Sequence, residues 1–266
     1  MTKKIQVEYR VYDGQDALSR AAAEHFVKKV RSAVEARGVA RIAISGGGSP
    51  KPVFALLADP RQPYRDVMPW DRLRIFWVDE RCVPPDSPDS NYGNARDLLL
   101  SKVPLAPEHI VRIEGELDPE EGAARYEAAI RAHFRLEGAE IPIFDAIQLG
   151  MGDNAHTASL FPHTEALHET IRIAVANDVP EAKQGHRITL TSPVINAGRE
   201  VFFLIQGADK AEPLKEVLLG AWDPETLPAQ LIQPQGGRLL FLLDRAVARL
   251  LPAPNGQGTG HMEIAR

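Results

Sequence analysis

Apolar residues along this chain fall into two alternating patterns. One is a short, nearly continuous apolar run, as a strand buried on both faces gives. The other is a spacing of three to four, as one face of a helix gives. Residues 5–12 alternate and predict a first strand. Residues 16–37 place Ala22, Phe26, Val30 and Val34 four apart on one face, and Gly38 follows as a C-cap. A strand over 41–45 runs into Gly46-Gly47-Gly48-Ser49-Pro50. There Ser49 reads as an N-cap and Pro50 as the first position of a helix to about residue 58.

Residues 73–78 (LRIFWV) predict a second buried strand. It ends at Asp79-Glu80-Arg81, and a proline-rich loop leads to a helix over 90–102. A short strand is expected over 111–113, and Asp118-Pro119 caps a helix to residue 136. Residues 144–149 predict a strand that is apolar except for Asp145 and Gln148. Further strands are expected over 171–176, 187–191, 201–206 (VFFLIQ) and 239–243. Asp209 caps a helix to 219, Asp244 opens the last helix, and the tail from Pro252, rich in Gly and Pro, is expected to be loose.

Strands alternating with helices predict an α/β fold. It is a mainly parallel sheet with helices on both faces, Rossmann-like in its three layers. A small antiparallel excursion is expected near 165–190. With no repeat, low-complexity segment or Gly/Ser linker, residues 1–251 read as a single domain and 252–266 as its tail. In such sheets ligands bind beyond the carboxyl ends of the strands. Four predicted strands end in polar or glycine-rich loops, at 45–49, 79–81, 150–159 and 207–210. The fold brings these loops to one rim.

The candidate chemistry lies on that rim. Gly150 and Gly152 follow the strand over 144–149 and allow a sharp turn with backbone N–H groups near a ligand. His156, flanked by Thr157 and Ser159, is placed to act as a general base; the same residues also fit an ordinary turn with a loop histidine. The loop from Gly46 to Ser49 suits an anion, most often phosphate, or else is a tight strand–helix turn. It matches neither the P-loop nor the dinucleotide fingerprint, so a small phosphorylated metabolite fits better than a nucleotide. Lys210, near a helix start, opposes the helix dipole, and Arg187 could grip phosphate with two hydrogen bonds. Asp79 and Arg81 could orient hydroxyls, handle a proton or bind an oxyanion. They could equally pair to hold their loop.

Composition narrows the partners. The 266 residues are 44% hydrophobic and 25% charged, the balance of an ordinary globular protein. A net charge of −5 without a basic run offers no electrostatic footprint for nucleic acid. No apolar stretch reaches the roughly 20 residues a membrane span needs, and no secretory signal is visible, so a cytoplasmic protein is expected. Cys82 is the single cysteine, which rules out an internal disulfide and makes a bystander of that side chain. His156, His163 and His168 share a region but lack H-E-x-x-H or a cysteine partner, so no metal site is expected. No G-x-S-x-G elbow is present.

Three segments carry a resemblance. SGGGSPKPVFALL at 45–57, WVDERCVPPDSPDSNYGNAR at 77–96 and LGMGDNAHTASLFP at 149–162 resemble the signatures of the 6-phosphogluconolactonase family. RITLTSPVIN at 187–196, Gly207 with Lys210, and LLFLLDRAVARL at 239–250 fit its later segments. The resemblance implies hydrolysis of 6-phospho-D-glucono-1,5-lactone without a cofactor, and a fold related to glucosamine-6-phosphate deaminase. It implies His156 as the catalytic histidine, and Gly46, Gly47, Gly48 and Ser49 with Arg187 and Lys210 as the phosphate cradle. Asp79 is implied as a second catalytic group. Arg81, Gly152, Asn154, Thr157 and Ser159 are implied to line the substrate site. The partner is a small phosphosugar lactone, and the chain a monomer or small homo-oligomer. Two departures stand out. Asn154-Ala155 replaces the family's usual Asp-Gly, which leaves either a weaker enzyme or Asp153 or Asp79 as the carboxylate that could orient His156. His163 stands where glycine is frequent.

Overall fold

The computed structural model describes residues 4–256 and 258–265. Strand β1 (Lys4–Tyr12) feeds helix α1 (Gly14–Arg37), which buries Leu18, Ala22, Phe26 and Val30. Gly38 closes α1 in the left-handed conformation, its N–H donating to the Val34 carbonyl. Strand β2 (Ala40–Ile44) and helix α2 (Pro50–Ala58) follow. Ser49 does not cap α2. Its backbone is already helical, at φ −63 and ψ −39, and its side chain makes no capping bond. Pro50, with its preset φ, sets the start instead.

Strands β3 (Leu73–Trp77) and β4 (Asp79–Arg81) precede helix α3 (Asn91–Leu98). Ser90 caps α3 by accepting from the Gly93 N–H. The helix expected to 102 breaks after Leu98 into a tighter turn, Leu100–Lys102. Strand β5 (Ile110–Val111) leads to helix α4 (Pro119–Phe134), where Asp118 accepts from the N–H groups of Glu120 and Glu121. Then come β6 (Ala146–Leu149), β7 (Ala174–Asp178), β8 (His186–Leu190), the short α5 (Ser192–Asn196) and β9 (Glu200–Ile205). Helix α6 (Ala211–Leu219), β10 (Arg238–Asp244) and β11 (Thr259–Ala265) complete the chain. Asp209 does not cap α6, which is entered through a short turn at Ala208–Lys210.

Eight strands form one sheet in the order β11-β1-β10-β9-β6-β2-β3-β5. Every pairing is parallel except that of β1 with β11. Every residue of β9 is buried, so both faces of the sheet are covered there. The rings of Phe203 on β9 and Phe241 on β10 stack at 4.6 Å, and burial of each such side chain contributes about 1.5–3 kcal/mol. From β2 the chain moves outward to β3 and β5; β6, on the other side of β2, leads outward to β9 and β10. The sheet therefore reverses direction between β2 and β6, and a crevice opens beyond their carboxyl ends. Gln148 on β6 bridges that junction. Its Oε1 accepts from the Ser45 N–H at 3.1 Å, and its Nε2 donates to Ser45 Oγ at 2.8 Å.

The antiparallel excursion is a three-stranded sheet, β4-β8-β7, backed by α4. It recruits Asp79–Arg81, a segment read from sequence as the end of a strand rather than a strand of its own. Arg81 and Arg187 are register partners across β4 and β8. The tail corrects the sequence reading. From Thr259 it is β11, paired along β1 from Thr259↔Arg10 to Ala265↔Lys4, with Gly260 lying against the Tyr9 ring. Its Gly/Pro-rich lead-in, not the strand itself, carried the expectation of a loose end. Among the described residues no helix is long and apolar enough to cross a membrane.

Candidate active site

The loop after β2 and the loop after β6 face each other across the switch point and enclose a cavity of about 210 Å³. Gly46, Gly47, Gly48 and Ser49 line one side and Gly152 and His156 another, and Asp79, Arg81, Arg187 and Lys210 line it as well. Residues expected from four separate strand ends thus converge. Gly47 holds φ 88, a conformation open to glycine at little cost. Among the described residues no protein acceptor meets the amides of Gly47 or Gly48. A Cβ on Gly46 would lie 1.8 Å from Asn91 Oδ1, so the loop passes Asn91 at backbone contact.

His156 is half-buried, its ring stacked on Phe161 at 4.0 Å and 12°. Asn154 Oδ1 lies 2.6 Å from His156 Nδ1 and accepts the His156 backbone N–H at 3.2 Å. A backbone N–H can only donate, so the amide oxygen, not its NH₂, faces the histidine. Nδ1 must then carry the ring proton, and Nε2 keeps its lone pair. Burial, then the Arg187 charge, pushes the imidazole down to about 4, against a smaller upward pull from Asp153. A Cβ on Gly152 would stand 2.1 Å from Nδ1, so the second glycine of the β6 loop makes room for this ring.

Three cations line the cavity, and among the described residues none of them has a carboxylate within 4.0 Å. Arg81 donates through Nη1 to the Asp89 carbonyl at 2.6 Å, and its Nε is buried without a partner. Arg187 donates through Nε to the Gln184 carbonyl. Burial and the neighbouring Arg81 charge lower the Arg187 pKa from its ordinary value, a direction an anion would reverse. Uncompensated cations beside free amides constitute an anion site.

Asp79 lines the cavity but is already held. Its Oδ2 accepts from Ser159 Oγ at 2.7 Å and its Oδ1 from Asn91 Nδ2 at 3.2 Å. It makes no pair with Arg81, and neither Asp79 nor Asp153 hydrogen-bonds His156. The orienting group is Asn154 itself.

Three assignments change. Ser159 is fully buried and spends its hydroxyl on Asp79. Thr157 is buried and donates to the Gly150 carbonyl at 2.8 Å. Neither lines the cavity, because Thr157 satisfies a carbonyl of the turn that delivers His156 and Ser159 satisfies the buried Asp79 carboxylate. Asn154 also does not line the cavity and touches the histidine instead. In the other direction, Ser45 and Asn91 line the cavity without having been singled out. The serine was read as the strand's last residue and the start of the rim loop, and Asn91 as part of a helix start; their facing positions arise from the β2–β6 junction and the docking of α3. His163 and His168 face Glu225, at 3.8 and 3.4 Å, rather than His156. Among the described residues no group of three His, Cys, Asp or Glu side chains could hold a metal ion. Burial pushes the Cys82 thiol up to about 11, which suppresses the thiolate.

Fold and cleft together define an α/β protein with a histidine and an uncompensated cationic site at its sheet's switch point. Residues 13–241 match the family described as glucosamine-6-phosphate isomerases/6-phosphogluconolactonase, and the chain belongs to that family. It is 40% identical over 238 residues to a 6-phosphogluconolactonase of Nostoc sp., covering 89% of this chain and 95% of the relative. The solved 6-phosphogluconolactonase of Trypanosoma cruzi superposes with a TM-score of 0.80 at 28% identity, over 91% of this chain and 96% of that one. A monomeric glucosamine-6-phosphate deaminase shares the fold, with a TM-score of 0.74 at 20% identity over 91% and 99% of the two chains.

Proposed function

We infer that this chain hydrolyses 6-phospho-D-glucono-1,5-lactone to 6-phospho-D-gluconate, with His156 as general base. The observation that carries the reading is a single cavity holding both a neutral imidazole, its Nδ1 held by Asn154, and three cations without carboxylate partners. The phosphate lies against the 46–49 loop, Arg187 and Lys210, where free amides and two cations meet its charge. That anchorage sets the lactone ring beside the histidine, so binding energy distant from the reacting carbon serves orientation.

Nε2 of His156 removes a proton from water as the water oxygen bonds to the lactone carbonyl carbon. The carbonyl electron pair moves onto its oxygen, where Arg81, the cavity cation not assigned to the phosphate, stabilises it. As that pair returns, the bond from carbon to ring oxygen breaks. The imidazolium gives its proton to the departing ring oxygen, which becomes a hydroxyl and restores neutral His156. Asp79, fixed by Ser159 and Asn91, orients the water or a sugar hydroxyl at the cavity floor. No residue of this scheme needs a metal or an organic cofactor.

The same reading makes the chain one catalytic domain, its sheet completed by β11, acting in the cytoplasm as a monomer or small homo-oligomer on a small molecule rather than a nucleic acid. The test is direct: purified protein mixed with freshly prepared phosphogluconolactone, with acid release followed at constant pH. Release well above the spontaneous rate is expected. A rate equal to the spontaneous one, from protein that still binds 6-phosphogluconate, would leave a binding protein and no lactonase.

A further inference from the structure

The two arginines of the cavity are held by two different segments, and those segments are held by each other. Arg81 reaches the backbone carbonyl of Asp89, in the proline-rich loop between β4 and α3. Arg187 reaches the backbone carbonyl of Gln184, in the turn between β7 and β8. The Asp89 carboxylate closes the circuit. It accepts Lys183 Nζ at 3.0 Å on each oxygen and Gln184 Nε2 at 3.0 Å. The β7–β8 turn is otherwise a small hairpin, closed by hydrogen bonds from Val179 N–H to the Gly185 carbonyl and from Ala182 N–H to the Val179 carbonyl. The Cys82 N–H donates to the His186 carbonyl at 3.0 Å, at the root of the hairpin rather than its tip.

We propose that Asp89 is a positioning residue for the anion site: by clasping Lys183 and Gln184 it locks the β7–β8 turn to the β4–α3 loop, and so fixes the spacing of Arg81 and Arg187. The inference rests on the reading that these arginines meet the substrate's anionic groups. Arg81 and Arg187 are like charges at register-paired positions, and they repel. Left to itself, the antiparallel pair would relax by swinging the two guanidinium groups apart. Both of their anchoring acceptors are backbone carbonyls, which move with their segments. A carboxylate between those segments, itself satisfied by a lysine and an amide, opposes that separation before any ligand arrives. Preorganisation of this kind lowers the cost of binding without adding a contact to the ligand.

The clasp is partly solvent-exposed, so its strength is that of an exposed pair, and its loss should weaken anion binding by about two- to fivefold. The experiment uses the full chain, with 6-phosphogluconate titrated calorimetrically and the lactonase reaction measured in parallel. Asp89→Ala should raise the Kd for 6-phosphogluconate by that factor and lower kcat/KM for the lactone by at least as much, because Arg81 also meets the carbonyl oxygen. Asp89→Asn, which keeps one acceptor, should fall between Asp89→Ala and the parent. Lys183→Ala, at a side chain 78% exposed, tests the same clasp where folding is not at stake. Because Asp89 acts through the two arginines, the loss in Asp89→Ala combined with Arg187→Ala should be smaller than the two single losses together. Unchanged affinity in both Asp89→Ala and Lys183→Ala overturns the clasp, as does a double variant whose losses add in full. If Arg187→Ala itself binds 6-phosphogluconate like the parent, the cradle reading has failed and takes the clasp with it.

Discussion

Asn154 Oδ1 sits 2.6 Å from Nδ1 of His156. An amide there fixes the tautomer as a carboxylate would, but adds no negative charge to favour imidazolium. Burial and the Arg187 charge hold the base well below its ordinary value, at about 4, and the amide does nothing to oppose them. Since Nε2 must be neutral to take a proton, the acid limb of kcat/KM should lie well below pH 6.5 in the parent. Asn154→Asp places a carboxylate beside the ring, raises its pKa and moves the acid limb upward. It should also raise the plateau, because developing imidazolium is better stabilised. The substrate phosphate titrates identically for both proteins, so the difference between their profiles, corrected for spontaneous hydrolysis, reports the imidazole. Superimposable profiles would show that Asn154 does not govern the base.

Gly152 is the reason the imidazole fits. A methyl group at this position would overlap Nδ1 and Cε1, at 2.1 and 2.2 Å, and push the ring out of line. Gly152→Ala should lower kcat by about 10²-fold, the usual cost of a displacement near 1 Å. Affinity for 6-phosphogluconate should hold, since the cradle lies elsewhere. Titration of the variant with that product separates a moved base from a damaged binding site.

Arg187 and Lys210 come from different strand ends and line one cavity without carboxylate partners. Arg187→Ala and Lys210→Ala should each weaken 6-phosphogluconate far more than gluconate, and the loss should shrink as salt rises. Equal losses for the two ligands would remove the phosphate from these residues.

Ser159 supports the site from behind rather than touching substrate. Ser159→Ala leaves the buried Asp79 oxygen without its 2.7 Å donor, and an unsatisfied buried acceptor costs roughly 1–3 kcal/mol. Denaturant unfolding should show that loss as a lower midpoint at unchanged slope. A variant as stable as the parent would mean that Asp79 finds another donor.

Legibility in the sequence followed the range of the interactions. VFFLIQ and LLFLL read as buried parallel strands because burial on both faces leaves an unbroken apolar run, and β9 and β10 lie there. Caps governed by neighbours one to three residues away were readable at Gly38 and Asp118. Ser49 failed because proline, not the hydroxyl, sets that helix start. The rim itself was visible, since strand ends in a parallel sheet must share a side. What the side chains do there was less so. Thr157 and Ser159 have the composition of a ligand-binding loop but serve buried acceptors, and only the fold brings Asp79 within reach of Ser159, 80 positions away in sequence. Asn91 is invisible for the same reason: its place beside Gly46 depends on how α3 docks. Strand β11 was hidden because its pairing partner, β1, lies at the other end of the chain.

The central claim is that His156 Nε2 generates the nucleophile, and the rate of lactone opening by His156→Ala tests it most directly. The ring is half-buried and stacks on Phe161, so its removal should leave the fold and the binding of 6-phosphogluconate intact. Loss of a general base lowers the rate by about 10²–10⁴-fold. With spontaneous hydrolysis subtracted, a fall of that size in kcat with product affinity unchanged is the predicted result. A folded variant that opens the lactone within about threefold of the parent, far short of that range, would contradict it.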